Sequence, residues 1–156
     1  MNHWKSIATA AAVLFGVVMP MMSAQAAQNT EQEREAIAVV QGFHDALNAR
    51  SVAGGESKIP IRPIAEKYVA ENYHQNSPTW TNGQGRESLI RWFQNRGGDG
   101  SPRKTPKVLY IGAVGNLVVR ASELGTSGLI FNMYTVENGK LVEHWSAVMG
   151  GAMDGR

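Results

Sequence analysis

The chain contains no cysteine. That excludes disulfides, a thiol nucleophile, a thiolate-held metal and a lipidated amino terminus. Charge of one sign is also missing. Fifteen Lys and Arg stand against thirteen Asp and Glu, scattered rather than blocked, which leaves no footprint for nucleic acid or an anionic membrane. No internal repeat and no low-complexity tract occurs after residue 26. A membrane-spanning run is nearly but not quite present. Residues 6–22 (SIATAAAVLFGVVMPMM) fall short of the ~18 to 20 apolar residues that a span needs, and they contain Pro20.

Directly after that run comes Ala24-Gln25-Ala26, the small-x-small pattern of a signal-peptidase site, and Lys5 supplies the positive charge ahead of it. Residues 1–26 are therefore expected to be a signal peptide and residues 27–156 one domain, periplasmic or secreted, with no membrane association after cleavage. Without disulfides, such a domain must be held by its core.

Thr30 and Glu33 have capping-box spacing. Ile37, Val40, His44 and Leu47 lie on one helical stripe beyond them, with Phe43 beside it, and the helix should stop near Arg50 before SVAGGESKIP. A second helix is expected from about Pro63 to Ala70, and a third over residues 86–95. GGDGSPRKTP (97–106) reads as a flexible connection. After it the period becomes alternating: KVLYIGAV, LVVRASEL, GLIFNMYTV and KLVEHWSAV are four expected strands. Helices succeeded by a meander imply α+β, with helices covering one face of a curved antiparallel sheet.

Asn138-Gly139 is a two-residue hairpin turn by composition. A regular ladder from it sets Tyr134 opposite Glu143 and Asn132 opposite Trp145, and a two-residue turn at Thr126-Ser127 adds Glu123 to that face. The other face holds Phe131, Met133 and His144. Periodicity leaves open whether the polar face is solvated or lines a cavity.

Three stretches, YHQNSP (73–78), GRESLIRWF (85–93) and TVENGKLVEHW (135–145), together resemble the SnoaL-like polyketide cyclase family, in particular its small bacterial aldol-condensation-type members. The resemblance runs from about Glu33 to Val148. It implies a cone-shaped α+β barrel of the nuclear-transport-factor-like kind, in which three helices pack on a strongly bent sheet around a pocket. It also places the polar face inside the cone and the apolar face against a partner in a homodimer. Aligned on Pro78, the family's usual histidine falls on Asn76, while Gln75 agrees. Its strand aspartate falls on Asn132 and a further aspartate on Ser146.

Aldol-type chemistry needs a base near the carbon that loses a proton and donors to the developing enolate oxygen. With amides at positions 76 and 132, the base is expected to be His74, two residues before Asn76 in an extended segment, or Glu123 on the inner face. Each has a structural alternative: His74 as a loop cap, Glu123 as the partner of Arg120 or Arg91. His44, Tyr73, Asn76, Asn132, Tyr134, Glu143 and Trp145 are the expected ligand-binding residues, with His44 otherwise a satisfied core histidine and Trp145 otherwise packing. No ligand spacing supports a metal site, and no cofactor is expected. The enzymatic reading is a lyase, isomerase or cyclase acting on a small carbonyl compound. The competing one is a small-ligand binder, or a structural dimer, without turnover.

Overall fold

The computed structural model describes residues 29–77, 80–95, 105–124 and 128–150. The expected signal peptide and most of the 97–106 connection lie outside the described residues. Helix α1 spans Glu31–Ala53. Its capping box forms as expected, with Thr30 Oγ1 accepting from the Glu33 amide and the Glu33 carboxylate accepting from the Thr30 amide. The helix ends where Gly54 adopts φ 101°, a left-handed conformation that glycine takes without strain. Helix α2 (Ile61–Tyr68) packs on α1, and helix α3 (Arg86–Asn95) packs on α2. Val40, Phe43, Ile61, Ile64, Ala65, Leu89 and Ile90 form the helical half of one buried core.

Five strands complete the fold: β1 (Val69–Gln75), β2 (Val108–Val114), β3 (Leu117–Leu124), β4 (Gly128–Glu137) and β5 (Lys140–Met149), in the order β1-β5-β4-β3-β2. The α+β class with three helices on a sheet is as expected. Strand β1 is not: the stretch read as helix up to Ala70 leaves α2 at Tyr68 and becomes an edge strand. It runs parallel to β5, so the sheet is mixed rather than antiparallel. Gln84 stabilises this edge. Its side-chain amide accepts from the Gln75 N–H at 2.7 Å and donates to the Gln75 carbonyl at 3.1 Å, as a neighbouring strand would, and so blunts an exposed edge.

The Asn138-Gly139 turn forms with both residues at positive φ, 50° and 72°. The ladder beyond it is irregular. Val136 pairs with Leu141, but Thr135 pairs with Glu143, which leaves Val142 as an extra residue, a β-bulge. Every later pair on β5 is displaced by one: Tyr134 faces His144, Asn132 faces Ser146 and Met133 faces Trp145. A one-residue slip exchanges the two faces of a strand. The same happens on β3, where Leu124 pairs with Gly128 and Glu123 with Leu129, instead of the register a two-residue turn would impose.

Two contacts tie the layers together. Lys140 Nζ donates to the carbonyls of Glu66 and Lys67 at 2.7 and 2.6 Å, closing the free end of α2 with a positive charge. Arg50, 5% exposed, donates to Glu56 at 2.8 Å and to the Phe93 carbonyl at 3.3 Å, which fastens the end of α1 to α3. Among the described residues no helix is long and apolar enough to cross a membrane.

Candidate functional site

Alternation along the strands sends one side chain in two toward the helices. The inward set is Tyr73 and Gln75 from β1, Arg120 and Ser122 from β3, Asn132 and Tyr134 from β4, and His144 from β5. Tyr73, Gln75, Arg120, Ser122, Asn132 and Tyr134 are all buried. His44 meets them from α1. Such a polar collection under the helices needs internal partners, and it has them.

His144 is the centre of the set. Its Nδ1 lies 2.8 Å from Gln75 Oε1 and its Nε2 2.9 Å from Asn132 Oδ1. Gln75 Oε1 also accepts from the Tyr73 hydroxyl at 2.5 Å. The Tyr134 ring stacks on the imidazole, with centroids 4.5 Å apart and planes at 11°. The Tyr134 hydroxyl in turn lies 2.9 Å from His44 Nε2. A phenol, two imidazoles, two amides and a second phenol thus form two hydrogen-bonded chains that touch through the stacked rings.

Burial sets the charges. It pushes His144 down to about 4. His44 falls to about 3, through burial first and then the charges of Arg120 and His144. Burial likewise raises the Tyr73 and Tyr134 phenols well above their ordinary range. At neutral pH both imidazoles are therefore neutral and both phenols keep their protons. A neutral imidazole has one N–H. With that proton on Nδ1, donated to the Gln75 oxygen that Tyr73 also serves, Nε2 carries the lone pair of a base. The Asn132 Oδ1 that stands 2.9 Å from it suits an imidazolium, and a rotation of that amide presents Nδ2 to the neutral ring instead. Asn132 can accompany His144 through both protonation states, whereas an aspartate in its place would favour the charged one.

The expected site residues divide sharply. His44, Tyr73, Asn132 and Tyr134 lie in this cluster, where His44 bonds the Tyr134 hydroxyl. His74 and Glu123, the two expected bases, do not. Both are exposed. His74 alternates out of β1 between the inward Tyr73 and Gln75, and Glu123 pairs with Lys107 at 3.6 Å instead of with Arg120 or Arg91. Asn76 donates to Glu143 Oε1 at 3.0 Å, on the face opposite His144, so Asn76 and Glu143 leave the inner set together. Trp145 leaves with them, opposite Met133. His144, assigned to the outer face by a regular hairpin, replaces them inside. Arg120 and Ser122 are further residues that the sequence reading missed, because the β3–β4 register was off by one.

Among the described residues no group of three His, Asp or Glu side chains stands together as a metal set. An open groove of about 420 Å³ lies elsewhere, between the first half of α1 and the β4–β5 turn, lined by Gln32, Glu35, Val39, Asn116, Glu137 and Asn138. It shares no residue with the His144 cluster.

No protein-family model and no curated protein matches the chain. Solved structures do. A protein from Jannaschia sp. CCS1 assigned as a SnoaL-like polyketide cyclase superposes with a TM-score of 0.60 at 13% identity, over 78% of this chain and 90% of that one. A protein from Kribbella flavida DSM 17836 assigned as a ketosteroid isomerase gives 0.56 at 17% identity, over 80% and 85%. An M. tuberculosis LEH-like epoxide hydrolase gives 0.54 at 16%, over 75% and 84%. At such identities the likeness establishes the fold: this is the cone fold of the SnoaL-like and NTF2-like proteins, as the sequence resemblance implies.

Proposed function

We propose that this chain of SnoaL-like cone fold is an acid–base catalyst on a small carbonyl compound, of the isomerase, cyclase or lyase kind, with His144 as the base. The observation that carries the reading is the placement of His144: a half-buried imidazole, kept neutral by desolvation, held between Gln75 and Asn132 and stacked under Tyr134. Its Nδ1–H is committed to Gln75, which fixes the tautomer and aims the lone pair of Nε2 inward. The Tyr134 hydroxyl, kept protonated by burial and oriented by His44, is the donor to the oxygen on which enolate charge develops. Asn132 turns its oxygen to the N–H that His144 acquires. A base with a pKa near 4 is weak in water, but it abstracts a proton when a preorganised donor stabilises the enolate in the same step.

The test is exchange of carbonyl α-protons for deuterium, monitored by proton NMR over a panel of small ketones and β-keto compounds. The wild-type chain should accelerate exchange of at least one, rising with pH through about 4 and level above it. His144→Gln should lower that rate at least 100-fold while ligand still binds. His74→Ala and Glu123→Gln, outside the cluster, should leave it unchanged. Full exchange in His144→Gln sinks the assignment.

A second reading, a small-ligand binder without turnover, is favoured by one observation: both ring nitrogens of His144 already have partners inside the protein. It predicts saturable binding with no exchange in any variant. We also read the protein as exported, on the strength of its leader sequence, and as a homodimer. Tyr110, Leu117, Met133 and Met149 leave exposed apolar surface on the outer face of the sheet. Intact mass of the protein recovered from the periplasm or medium tests the first, and light scattering in solution tests the second.

A further inference from the structure

We propose that Arg120 is the anchor for a carboxylate on the molecule that the cone accepts, so that the substrate is an anionic carbonyl compound, a keto acid in the simplest case. This rests on the reading of the cone as a small-molecule site and specifies its chemistry.

Two arginines among the described residues are almost wholly buried, Arg50 at 5% and Arg120 at 4% exposure. Arg50 has a carboxylate, Glu56, at 2.8 Å. Arg120 has none within ion-pair distance among the described residues. Its Nη1 donates to Ser122 Oγ at 3.0 Å, and Ser122 is itself fully buried. A guanidinium carries five N–H donors in a rigid fork, so most of this one's donating capacity is unspent on described partners.

The groups around it do not neutralise it. Across the sheet its register partners are Asn132 and Ile111. His44 and Tyr134 are uncharged, and so is His144. The Asp45 carboxylate, on the exposed side of α1, acts on Arg120 only through its field, which solvent weakens. Among the described residues, the inner face of the sheet therefore bears one formal charge, and it is positive. A buried cation without a counter-ion is costly, and an incoming anion relieves that cost. A carboxylate suits this guanidinium because two coplanar oxygens match two N–H groups of the fork, and Ser122 Oγ–H lies beside the same fork as a further donor. Arg120 and His144 both flank Asn132, so a carboxylate held at Arg120 sets the rest of a short keto acid beneath Tyr134 and His144.

The experiment is a set of calorimetric or NMR titrations of the full chain with matched probes: 4-oxopentanoate against 4-oxopentanamide, and benzoate against benzamide. The wild-type chain should bind at least one carboxylate ten-fold or more tightly than its amide, with the preference shrinking as salt is raised. Arg120→Gln should reduce the preference to within three-fold and leave amide affinity unchanged. Arg120→Lys should keep part of it. If Arg120→Gln fails to fold, thermal-shift titrations of the wild-type and Arg120→Lys chains with the same four probes decide. Equal binding of acid and amide by the wild-type chain, or binding of neither, overturns the proposal, as does an undiminished preference in Arg120→Gln. The acid–base reading fails separately. A carboxylate preference without α-proton exchange would refute catalysis and leave Arg120 as the anchor, and His144→Gln should lose exchange while keeping the preference.

Discussion

Lowering the pH from 7.5 to 5 should destabilise this protein through its two half-buried imidazoles. Burial depresses both, His144 to about 4 and His44 to about 3, from an ordinary value of ~6.5. A group whose folded pKa lies below its unfolded one contributes stability that is complete above the unfolded value. The contribution disappears as pH falls toward the folded value. The window thus opens just below pH 6.5 and extends to about 4. At pH 5 an unfolded imidazole is almost fully protonated and a folded one is not, a difference of about 2 kcal/mol per histidine and about 4 for the pair. Both rings keep some contact with solvent, so a loss of about 2 to 4 kcal/mol is expected. Against a typical domain stability of about 5 to 15 kcal/mol that is a large share. The Glu33, Glu56 and Glu87 carboxylates are held below their ordinary range by hydrogen bonds, to backbone amides at Glu33 and to arginine partners at the other two. Their contribution is present above ~4.5 and lost below it, so it does not change between pH 7.5 and 5. Urea unfolding monitored by tryptophan fluorescence at pH 7.5, 6 and 5 measures the effect, with a constant m-value as the check on two-state behaviour. His44→Gln, whose side-chain amide can still bond the Tyr134 hydroxyl, should remove about half of the slope, and His144→Gln the other half. A stability that is flat from pH 7.5 to 5 refutes the reasoning. A slope unchanged by His144→Gln means that the fold does not shift the His144 pKa, and a slope steepened by it means that His144 is an imidazolium between its two oxygen acceptors; either result removes it as the base.

The packing sets three further outcomes. Deleting Val142 removes the bulge but keeps the later pairs, Thr135 with Glu143 and Tyr134 with His144, so His144 should stay inside and cooperative unfolding by circular dichroism should persist. Lys140→Met keeps the aliphatic stem but loses two charge-assisted bonds to the end of α2, and should cost about 1 kcal/mol in urea unfolding at pH 7.5. Gly42→Ala sets two effects against each other: about 1 kcal/mol of helix propensity gained against a new Cβ only 2.8 Å from the Tyr68 hydroxyl, an overpacking cost of about 1 to 3 kcal/mol. The clash should win, by about 1 kcal/mol, and the same substitution made on Tyr68→Leu should instead stabilise.

The helices and the hairpin turn could be read from the sequence because each depends on local chemistry, whereas the inward side of β4 came from the family resemblance alone. The Thr30–Glu33 cap and the Asn138-Gly139 turn use residue types whose backbone preference is nearly enough by itself. Asn132 and Tyr134 are then placed by alternation. The features that could not be read were carried by single unpaired residues. One bulge at Val142 exchanges His144 for Glu143 and Trp145, and one residue of register on β3 exchanges Arg120 and Ser122 for Glu123. No local preference of valine announces a bulge; its cause is tertiary, since a regular ladder would bury Glu143, which has no cationic partner within the cone other than Arg120, and expose a histidine that two amides can hold. Strand β1 was hidden for a related reason. Its stabilisation comes from a parallel neighbour about seventy residues away and from the Gln84 side chain, while its own sequence continues the helical pattern of α2. The histidine and aspartate that the family resemblance would place at positions 76 and 132 are amides here. Yet the inner set contains a histidine on β5 and an arginine on β3, neither of which those positions foretell. Acid–base capacity in this cone therefore depends on register more than on motif.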